Sequence, residues 1–225
     1  MSILFLTLFF NINIIIFDFC NNKQIEKNEE SLKLLNIYAF DVLNSKLNNK
    51  NIDSLSLNSM FKNIKYPLFV TWLKGPNKDL RGCIGTFYPD ELETNIKKYS
   101  LLAAFEDSRF SPISKNEFSS LHCEISLLTD FESAKDCYDW ELGKHGIQII
   151  FVINEREYRA TFLPHVALEQ KWDKETTLKQ LVMKAGYYGK LKEVENKIKL
   201  TRYQSKIINL SYDEYISYKN KNNDL

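Results

Sequence analysis

Glycine and proline are scarce in this sequence, and cysteine and histidine are scarcer still. The 225 residues include seven glycines, five prolines, four cysteines and three histidines. This composition excludes a collagen-like chain, and each glycine or proline marks a position where backbone geometry matters. Because there is no Cys-x-x-Cys pair, a structural zinc site is not expected. Scattered cysteines in a chain of this length are typical of a reducing compartment, not of a disulfide scaffold.

An excess of charge of either sign is also lacking. Lys and Arg number 30 against 29 Asp and Glu, which gives a net charge of +1. A protein that coats DNA non-specifically needs a surplus of cations, so this class is not favoured, although a local basic groove remains open. The hydrophobic content of 44% indicates a folded globular protein of one large or two small domains.

Several well-known catalytic motifs are missing. The sequence contains no P-loop, no G-x-G-x-x-G fingerprint, no G-x-S-x-G elbow and no H-E-x-x-H helix. Their absence argues against nucleotide hydrolysis, dinucleotide oxidoreduction, serine hydrolysis and zinc proteolysis. We therefore expect no metal and no resident cofactor.

The N-terminal residues 1–20 are strongly apolar, and three interpretations of them stay open. They could be a signal or membrane anchor, an element packed on the domain, or the product of a misassigned start codon. No basic residue precedes Lys23, and Asn11, Asn13 and Asp18 interrupt the apolar run. Residues 21–30 are interpreted as a linker, residues 31–218 as the domain and residues 219–225 as a polar tail.

The remaining patterns alternate between helices and hairpins. Helical spacing predicts a helix from Ser31, its expected N-cap, to Leu47, and a capping box at Asp90 and Glu93 predicts a second helix. The other predicted elements are hairpins around Gly75–Asp79 and Glu155–Glu157, strands over Leu121–Thr129 and Lys199–Leu210, a helix over Thr176–Ala185, and a last helix from Tyr212. This order favours an α+β fold with a mainly antiparallel sheet and flanking helices.

The segment LRGCIGTF is the most unusual part of the chain. Strand alternation places Arg81, Cys83 and Gly85 on one face, so the Arg81 guanidinium could approach the Cys83 sulfur and lower its pKa. Gly85 leaves space beside the sulfur for a ligand or another piece of backbone. The alternative is that Cys83 is a small core residue and that Gly82 and Gly85 relieve crowding.

Other polar residues are weaker candidates. His145, which precedes Gly146, could act as the base for Cys83, but a structural role is the more common one for such a histidine. Arg109 in DSRFSP could hold an anionic ligand or pair with Asp107. A second set of polar side chains shares one strand face and is interpreted as a solvated surface: His122, Glu124 and Ser126.

These segments together resemble the AMMECR family. The resemblance rests on PLFVTW, LRGCIGTF, DSRFSP, SLLTDFE, DWELGKHGI, FLPHVALEQKWD, KAGYYG and KLTRYQS, and it covers about Ser31 to Tyr218. It implies an α+β fold with a barrel-like antiparallel sheet and two lobes, in a cytoplasmic or nuclear protein. It also implies that Arg81, Gly82, Cys83, Ile84 and Gly85 form a functional signature. Residues 1–20 have no counterpart in the common domain, so a secretory or membrane route stays open if they are genuine.

Three functional hypotheses follow, and the family resemblance supplies no established reaction. The first is a thiol-centred small-molecule or RNA-modification-related site, with Cys83 and His145 catalytic and with Arg81, Gly82, Ile84, Gly85 and Arg109 binding the substrate. The second is a non-enzymatic adaptor that binds a protein partner through exposed tyrosines, namely Tyr187, Tyr188, Tyr212 and Tyr215. The third is RNA binding along a basic stripe of Lys197, Lys199 and Arg202 beside Tyr203.

Overall fold

The computed structural model of the chain describes residues 28–223. Its helices are α1 (Glu29–Leu47), α2 (Leu92–Phe105), α3 (Val166–Glu169), α4 (Lys174–Lys184) and α5 (Tyr212–Asn223). Its strands are β1 (Lys65–Lys74), β2 (Asp79–Glu91), β3 (Leu121–Ser133), β4 (Gly146–Ile153), β5 (Arg156–Phe162) and β6 (Lys199–Ser211). Short 3-10 helices lie at Ser59–Phe61, Lys115–Ser120, Leu191–Glu193 and Glu195–Lys197. The expected leader, residues 1–20, and most of the expected linker lie outside the described residues.

The six strands form one sheet in the order β2-β1-β3-β6-β4-β5. The pairs β1–β2, β1–β3, β4–β5 and β4–β6 are antiparallel. The predicted α+β class with a mainly antiparallel sheet is therefore confirmed, as are both predicted hairpins. The chain divides into two compact units. The described residues of the larger unit are 28–129 and 206–223, and those of the smaller unit are 130–205.

The core of the larger unit forms where helices cover one face of β1 and β3. Leu68, Val70 and Trp72 alternate along β1, and all three side chains are fully buried. The Trp72 indole nitrogen donates a hydrogen bond to the Ser100 carbonyl on α2 at 3.0 Å. The Phe40 ring of α1 packs edge-on against Trp72 and stacks on Tyr215 of α5. The apolar faces of α1, α2 and α5 thus pack on the same side of β1 and β3.

A buried amide on α1 connects two strands of the larger unit. The Asn36 side chain is fully buried and donates hydrogen bonds to the Cys123 carbonyl on β3 and the Ile208 carbonyl on β6. These bonds are 2.9 and 3.0 Å long. Two backbone acceptors that would otherwise face apolar side chains are satisfied by a single residue.

The smaller unit is built on the β4–β5 hairpin. Asn154 and Glu155 both have positive φ, at 48° and 65°, as a two-residue type I′ turn requires. The turn pairs Ile153 with Arg156 and sets the register to the far end of the hairpin, where Ile147 faces Phe162. Helix α4 packs its buried side chains against this hairpin, and these are Leu178, Leu181 and Val182.

Two predicted helix starts are wrong, for local reasons. Asn28, not Ser31, caps α1, because its side chain accepts a hydrogen bond from the Ser31 backbone N–H at 2.8 Å. The predicted capping box does not form at α2. Asp90 and Glu91 still belong to β2, and α2 begins at Leu92 without a side-chain cap.

Helix α5 continues into the segment expected to be a polar tail. It runs to Asn223, and Lys219 forms an ion pair with Asp41 of α1 at 3.0 Å.

Among the described residues, no helix is both long enough and apolar enough to cross a membrane.

Replacing Gly82 by alanine tests the close approach of β2 and α2. A Cβ atom at Gly82 would lie 2.0 Å from the Ala103 carbonyl oxygen. This oxygen belongs to the backbone of α2, which cannot move far enough to relieve the clash. We expect Gly82→Ala to lower the free energy of unfolding by about 3 kcal/mol or more, measured by urea denaturation of the full chain.

Gly75→Ala is the matched control for this substitution. Gly75 has a φ of 73° and no atom within 4 Å of an added Cβ, so only backbone strain should appear. The expected loss is about 1 kcal/mol. Equal losses for the two variants would contradict the packing role of Gly82.

Candidate functional site

The central residue of the LRGCIG segment lies on an edge strand. β2 is the first strand of the sheet, and Cys83 lies opposite Thr71 of β1. The backbone groups of Cys83 bond away from β1, to the loop that follows α2. Its N–H donates to Asp107 Oδ2 at 2.9 Å, and its carbonyl accepts from Arg109 Nη2 at 3.4 Å. The loop therefore closes the open edge of the sheet at Cys83.

Asp107 and Arg109 form the ion pair that was one of the two interpretations of this loop. The Arg109 Nε and Nη2 atoms donate to the two Asp107 carboxylate oxygens at 2.9 and 2.6 Å. Burial opposes ionisation of Asp107, but the hydrogen bonds from Arg109 and from the Cys83 N–H lower its pKa overall. We name Asp107, Arg109 and the Cys83 backbone the edge clamp. Two guanidinium nitrogens of Arg109 are committed to it, and the anion-binding role of Arg109 stays a prediction.

Arg81 does not activate the Cys83 thiol as predicted. The β1–β2 register passes from Gly82 to Leu80, so Arg81 is the extra residue of a β-bulge. Its guanidinium donates to both carboxylate oxygens of Glu117, at 2.9 and 3.2 Å, and to the Pro112 carbonyl at 3.3 Å. The bulge re-aims the side chain, and strict alternation along the strand fails at this residue. The substrate-binding role of Arg81 stays a prediction.

The Cys83 thiol is partly buried and has a raised pKa. Desolvation by burial is the main cause. A hydrogen bond from Thr71 Oγ1 to the sulfur, 3.2 Å long, and the charge of Arg109 act in the opposite direction without reversing the shift. The predicted lowering of this pKa is therefore wrong, and the thiol is protonated at neutral pH.

The rest of the signature packs against neighbouring elements. A Cβ at Gly85 would lie 2.3 Å from the Leu68 carbonyl oxygen and 2.4 Å from the Phe69 ring, so β1 occupies the space expected beside the sulfur. Ile84 packs against the core of the larger unit. These contacts give Gly82, Ile84 and Gly85 a structural reason to be present, and their role in substrate binding stays a prediction.

A row of polar side chains crosses three strands on the face opposite the core. Thr71 lies between Cys83 on β2 and Glu124 on β3 in the strand register. Thr71 is buried at 8% exposure, whereas Cys83 and Glu124 are partly exposed. We call these three residues the polar row. Thr71 was missed in the sequence, although a threonine within the apolar run LFVTW was a visible signal.

His122 and Ser126 flank the polar row on the same face of β3. His122 lies opposite Leu73 and Ser126 opposite Phe69. The interpretation of this face as fully solvated is wrong for Ser126, which is buried at 6% exposure. The alternation of β3 was therefore predicted correctly, but one of its two faces is less exposed than expected.

His145 belongs to the smaller unit and closes a turn there. The His145 Nδ1 atom accepts a hydrogen bond from the Glu141 backbone N–H at 2.9 Å, and the His145 backbone N–H donates to the Glu141 carbonyl at 3.0 Å. Burial lowers the pKa of the imidazole, which favours the neutral ring. None of the hydrogen bonds of the described residues joins His145 to Cys83. The role of His145 as a catalytic base stays a prediction.

The aromatic ring proposed for RNA stacking is not exposed. Tyr203 is fully buried, and its hydroxyl donates to the Phe162 carbonyl at 3.0 Å. A Cβ at Gly146 would lie 2.4 Å from the Tyr203 ring, so Gly146 makes room for it. Arg202 is paired with Glu132 and Asp139. This stripe does not provide the stacking surface that the third hypothesis requires.

Only one of the four tyrosines proposed for partner binding is largely exposed. Tyr188 is 83% exposed, whereas Tyr215 is buried at 3%. Tyr187 is partly buried and packs edge-on against Phe151, and Tyr212 is also partly buried.

Residues 28–223 contain no cluster of three or more His, Cys, Asp or Glu side chains arranged to hold a metal ion.

Removing the carboxylate of Glu117 tests the contact that holds Arg81. The hydrogen bond from Arg81 is the largest cause of the strongly lowered Glu117 pKa, so the ionised form stabilises the fold above the unfolded pKa of about 4.3. We expect Glu117→Gln to lower the free energy of unfolding by about 1–3 kcal/mol at neutral pH. The difference from the wild type should shrink as the pH falls below about 4.

Glu175→Gln is the control, because Glu175 pairs with Lys179 at the surface, where both side chains are more than half exposed. Its loss should stay below about 0.5 kcal/mol in the same urea titration. Similar losses in the two variants would show that the Arg81 contact contributes no more than a surface pair.

The raised pKa of Cys83 is tested by alkylation with iodoacetamide across pH. In the folded chain the midpoint of the rate should lie above the value of about 8.5 for a free cysteine, because burial disfavours the thiolate. The unfolded chain in urea is the control and should show the ordinary midpoint. The same shift makes a contribution of Cys83 to the free energy of unfolding. This contribution is fully present below the unfolded pKa and is lost as the pH rises through the higher folded pKa. A folded midpoint at or below about 8.5 would refute the assignment.

Comparison with known proteins places the chain in a family. The sequence model of the AMMECR1 family matches residues 36–208. An uncharacterised protein of Schizosaccharomyces pombe is 50% identical over 152 residues, which cover 67% of this chain and 78% of that protein. An uncharacterised protein of Arabidopsis thaliana is 46% identical over 164 residues, which cover 70% and 77% of the two chains.

A solved crystal structure has a similar fold. The crystal structure of an uncharacterised protein from Pyrococcus horikoshii matches with a TM-score of 0.64 and 25% identity, covering 80% of this chain and 91% of that one. The segments that carry the resemblance in the sequence, including LRGCIG, DSRF and HG, lie within the matched range. The chain belongs to the AMMECR1 family.

Proposed function

We propose that this AMMECR1 domain binds a small polar molecule at the polar row, and that the Cys83 thiol takes part as a neutral hydrogen-bonding group. The observation that carries the proposal is the alignment of Cys83, Thr71 and Glu124 across β2, β1 and β3. A thiol, a hydroxyl and a carboxylate are thereby placed on neighbouring strands about 5 Å apart.

The burial of β1 supports a binding role for this row. Residues Tyr66 to Trp72 are all buried, so both faces of the strand are covered, and such strands are usually apolar throughout. Thr71 is the polar exception. A buried hydroxyl is unfavourable unless it forms a hydrogen bond, and this one donates to the Cys83 sulfur. Small-molecule sites typically combine apolar walls with a few such polar groups.

The contacts around the row support a rigid site. The edge clamp fixes the backbone of Cys83, and the Arg81–Glu117 pair fixes the bulge two residues before it. A site whose groups are held in place loses little conformational entropy when a ligand binds. The carboxylate of Glu124 favours a ligand that presents hydrogen-bond donors or a positive charge to that end of the row.

Thiolate catalysis is less well supported than binding. The raised pKa keeps the thiol protonated, and Arg81 is committed to Glu117. The His145 Nδ1 atom is already an acceptor within its own turn. A nucleophilic mechanism would require the ligand itself to assist deprotonation of Cys83.

A second candidate function is the binding of a protein partner. Tyr188 supports it, because the side chain is 83% exposed in the loop between Gly186 and Gly189. Exposed tyrosines are common anchors at interfaces. A single residue is a smaller basis than the polar row, so we rank this function second.

A thermal-shift screen of the full chain tests the primary proposal. The library consists of amino acids, amines, nucleosides and sugar phosphates. At a concentration of about 100 times Kd, a ligand stabilises a protein by about 2.7 kcal/mol, which corresponds to about 5–10 °C in Tm. We expect a ligand that stabilises the wild type but not Thr71→Val or Glu124→Gln.

Tyr188→Ala is the control variant and should keep the full shift. If no member of the library binds, or if the shift persists in both row variants, the polar row is not the site. Partner capture that Tyr188→Ala abolishes while the row variants retain it would instead favour the adaptor function.

A further inference from the structure

The outer edge of β5, the last strand of the sheet, has no partner strand among residues 28–223. The two-residue turn closes on Ile153 and Arg156 as a hydrogen-bonded pair, and bonded and non-bonded positions alternate from there along the hairpin. Glu157, Arg159 and Thr161 therefore direct their backbone N–H and C=O groups away from β4. An edge of this kind is a template for the addition of another strand.

Lys184 of α4 marks where the open stretch of this edge ends. Its Nζ atom donates to the Thr161 carbonyl at 3.0 Å, which shows that this carbonyl points away from β4. Within residues 28–223, no loop or side chain bonds to the outward backbone groups of Glu157 or Arg159. The edge clamp that closes β2 at Cys83 thus has no counterpart at these two residues.

The side chains at the two open positions carry opposite charges. Glu157 and Arg159 are two residues apart, so both project from the same face of β5. The Arg159 Nε atom donates to the Glu157 carboxylate, and the Glu157 side chain is 44% exposed. Along the edge, a carboxylate is therefore followed by a guanidinium group. An antiparallel strand with the same two residues presents them in the reverse order, so the pattern is complementary to itself.

We propose that two copies of this chain associate by pairing their β5 edges in antiparallel orientation, with Tyr158 of one copy opposite the partner's Tyr158. This register places Glu157 of each copy opposite the partner's Arg159, and the two pairs contribute about four backbone hydrogen bonds. Each carboxylate then lies between two guanidinium groups. The interface is isologous, because the same surface of both copies meets across a two-fold axis.

Charge selects this register over the neighbouring ones. A pairing centred on Glu157 places two carboxylates opposite each other, and one centred on Arg159 places two guanidinium groups opposite each other. Like charges directly opposite on adjacent strands are unfavourable, whereas opposite charges are favourable. The same argument favours a second copy over a strand of another protein, because an unrelated strand has no reason to carry the reverse charge pattern.

Sedimentation equilibrium of the full chain between about 1 μM and 1 mM tests the proposal. We expect a monomer–dimer equilibrium with a dissociation constant below about 1 mM, as is usual for a small, transient interface. Glu157→Arg and Arg159→Glu each place like charges opposite each other. Each should weaken dimerisation at least about tenfold.

Exchanging the charges provides a test that loss of folding cannot imitate. The double variant Glu157→Arg with Arg159→Glu restores opposite charges in the same register and should dimerise like the wild type. An equimolar mixture of the two single variants should form a heterodimer, because one copy carries two cations and the other two anions. Glu169→Arg is the control: it makes the same change of charge at an exposed position outside β5 and should leave the dissociation constant unchanged.

Hydrogen exchange of the wild type gives a readout that needs no substitution. The amides of Glu157 and Arg159 should exchange more slowly as the protein concentration rises through the dissociation constant. A chain that stays monomeric up to about 1 mM would overturn the proposal. So would a dimer that both single variants leave intact, or a mixture of the single variants that forms no heterodimer. Protection of these amides that appears only when another protein is added would also overturn it, because the occupant would then be a strand of that protein.

Discussion

The strand that carries the family signature depends on a carboxylate–guanidinium pair from outside the sheet. β2 is an edge strand, and an edge strand leaves a row of N–H and C=O groups without a partner strand. At Cys83 both groups are bonded by Asp107 and Arg109. The edge clamp replaces one rung of a missing neighbour strand, and it requires the loop after α2 to remain against β2. The signature and the DSRF segment, 24 residues apart, are thus parts of one arrangement.

The same constraint changes the interpretation of the signature cysteine. A cysteine close to an arginine in the sequence suggests an activated thiol. The bulge, however, directs the Arg81 guanidinium to Glu117 and not to the Cys83 sulfur. The cation near Cys83 is Arg109, whose charge is largely compensated by Asp107. Cys83 is therefore a neutral group in a row with Thr71 and Glu124. At both glycines of the motif, backbone atoms of a neighbouring element occupy the space that a Cβ atom would need. This explains the two glycines without requiring either of them to contact a ligand.

Local features were predictable from the sequence, and features set by distant partners were not. Both hairpins followed from short turn signals, and the α+β class followed from their alternation with helices. The residue that caps α1 was misassigned because Ser31 and Asn28 are equally suitable as cap residues, and only the backbone decides between them. The bulge at Arg81 depends on the spacing of β1, and its partner Glu117 is 36 residues away. The Lys184 side chain on α4 donates to the Thr161 carbonyl on β5, and no pattern around KAG indicates this contact.

The two-residue turn at Asn154 and Glu155 has a consequence well beyond its own position. Side chains alternate along a strand, so a shift of the register by one residue at this turn would exchange the two faces of β5. Phe162 would leave the core. The Thr161 carbonyl would no longer lie where it accepts the hydrogen bond from Lys184 Nζ. Two residues in left-handed conformation thereby set the position of a backbone acceptor used by a lysine on another element.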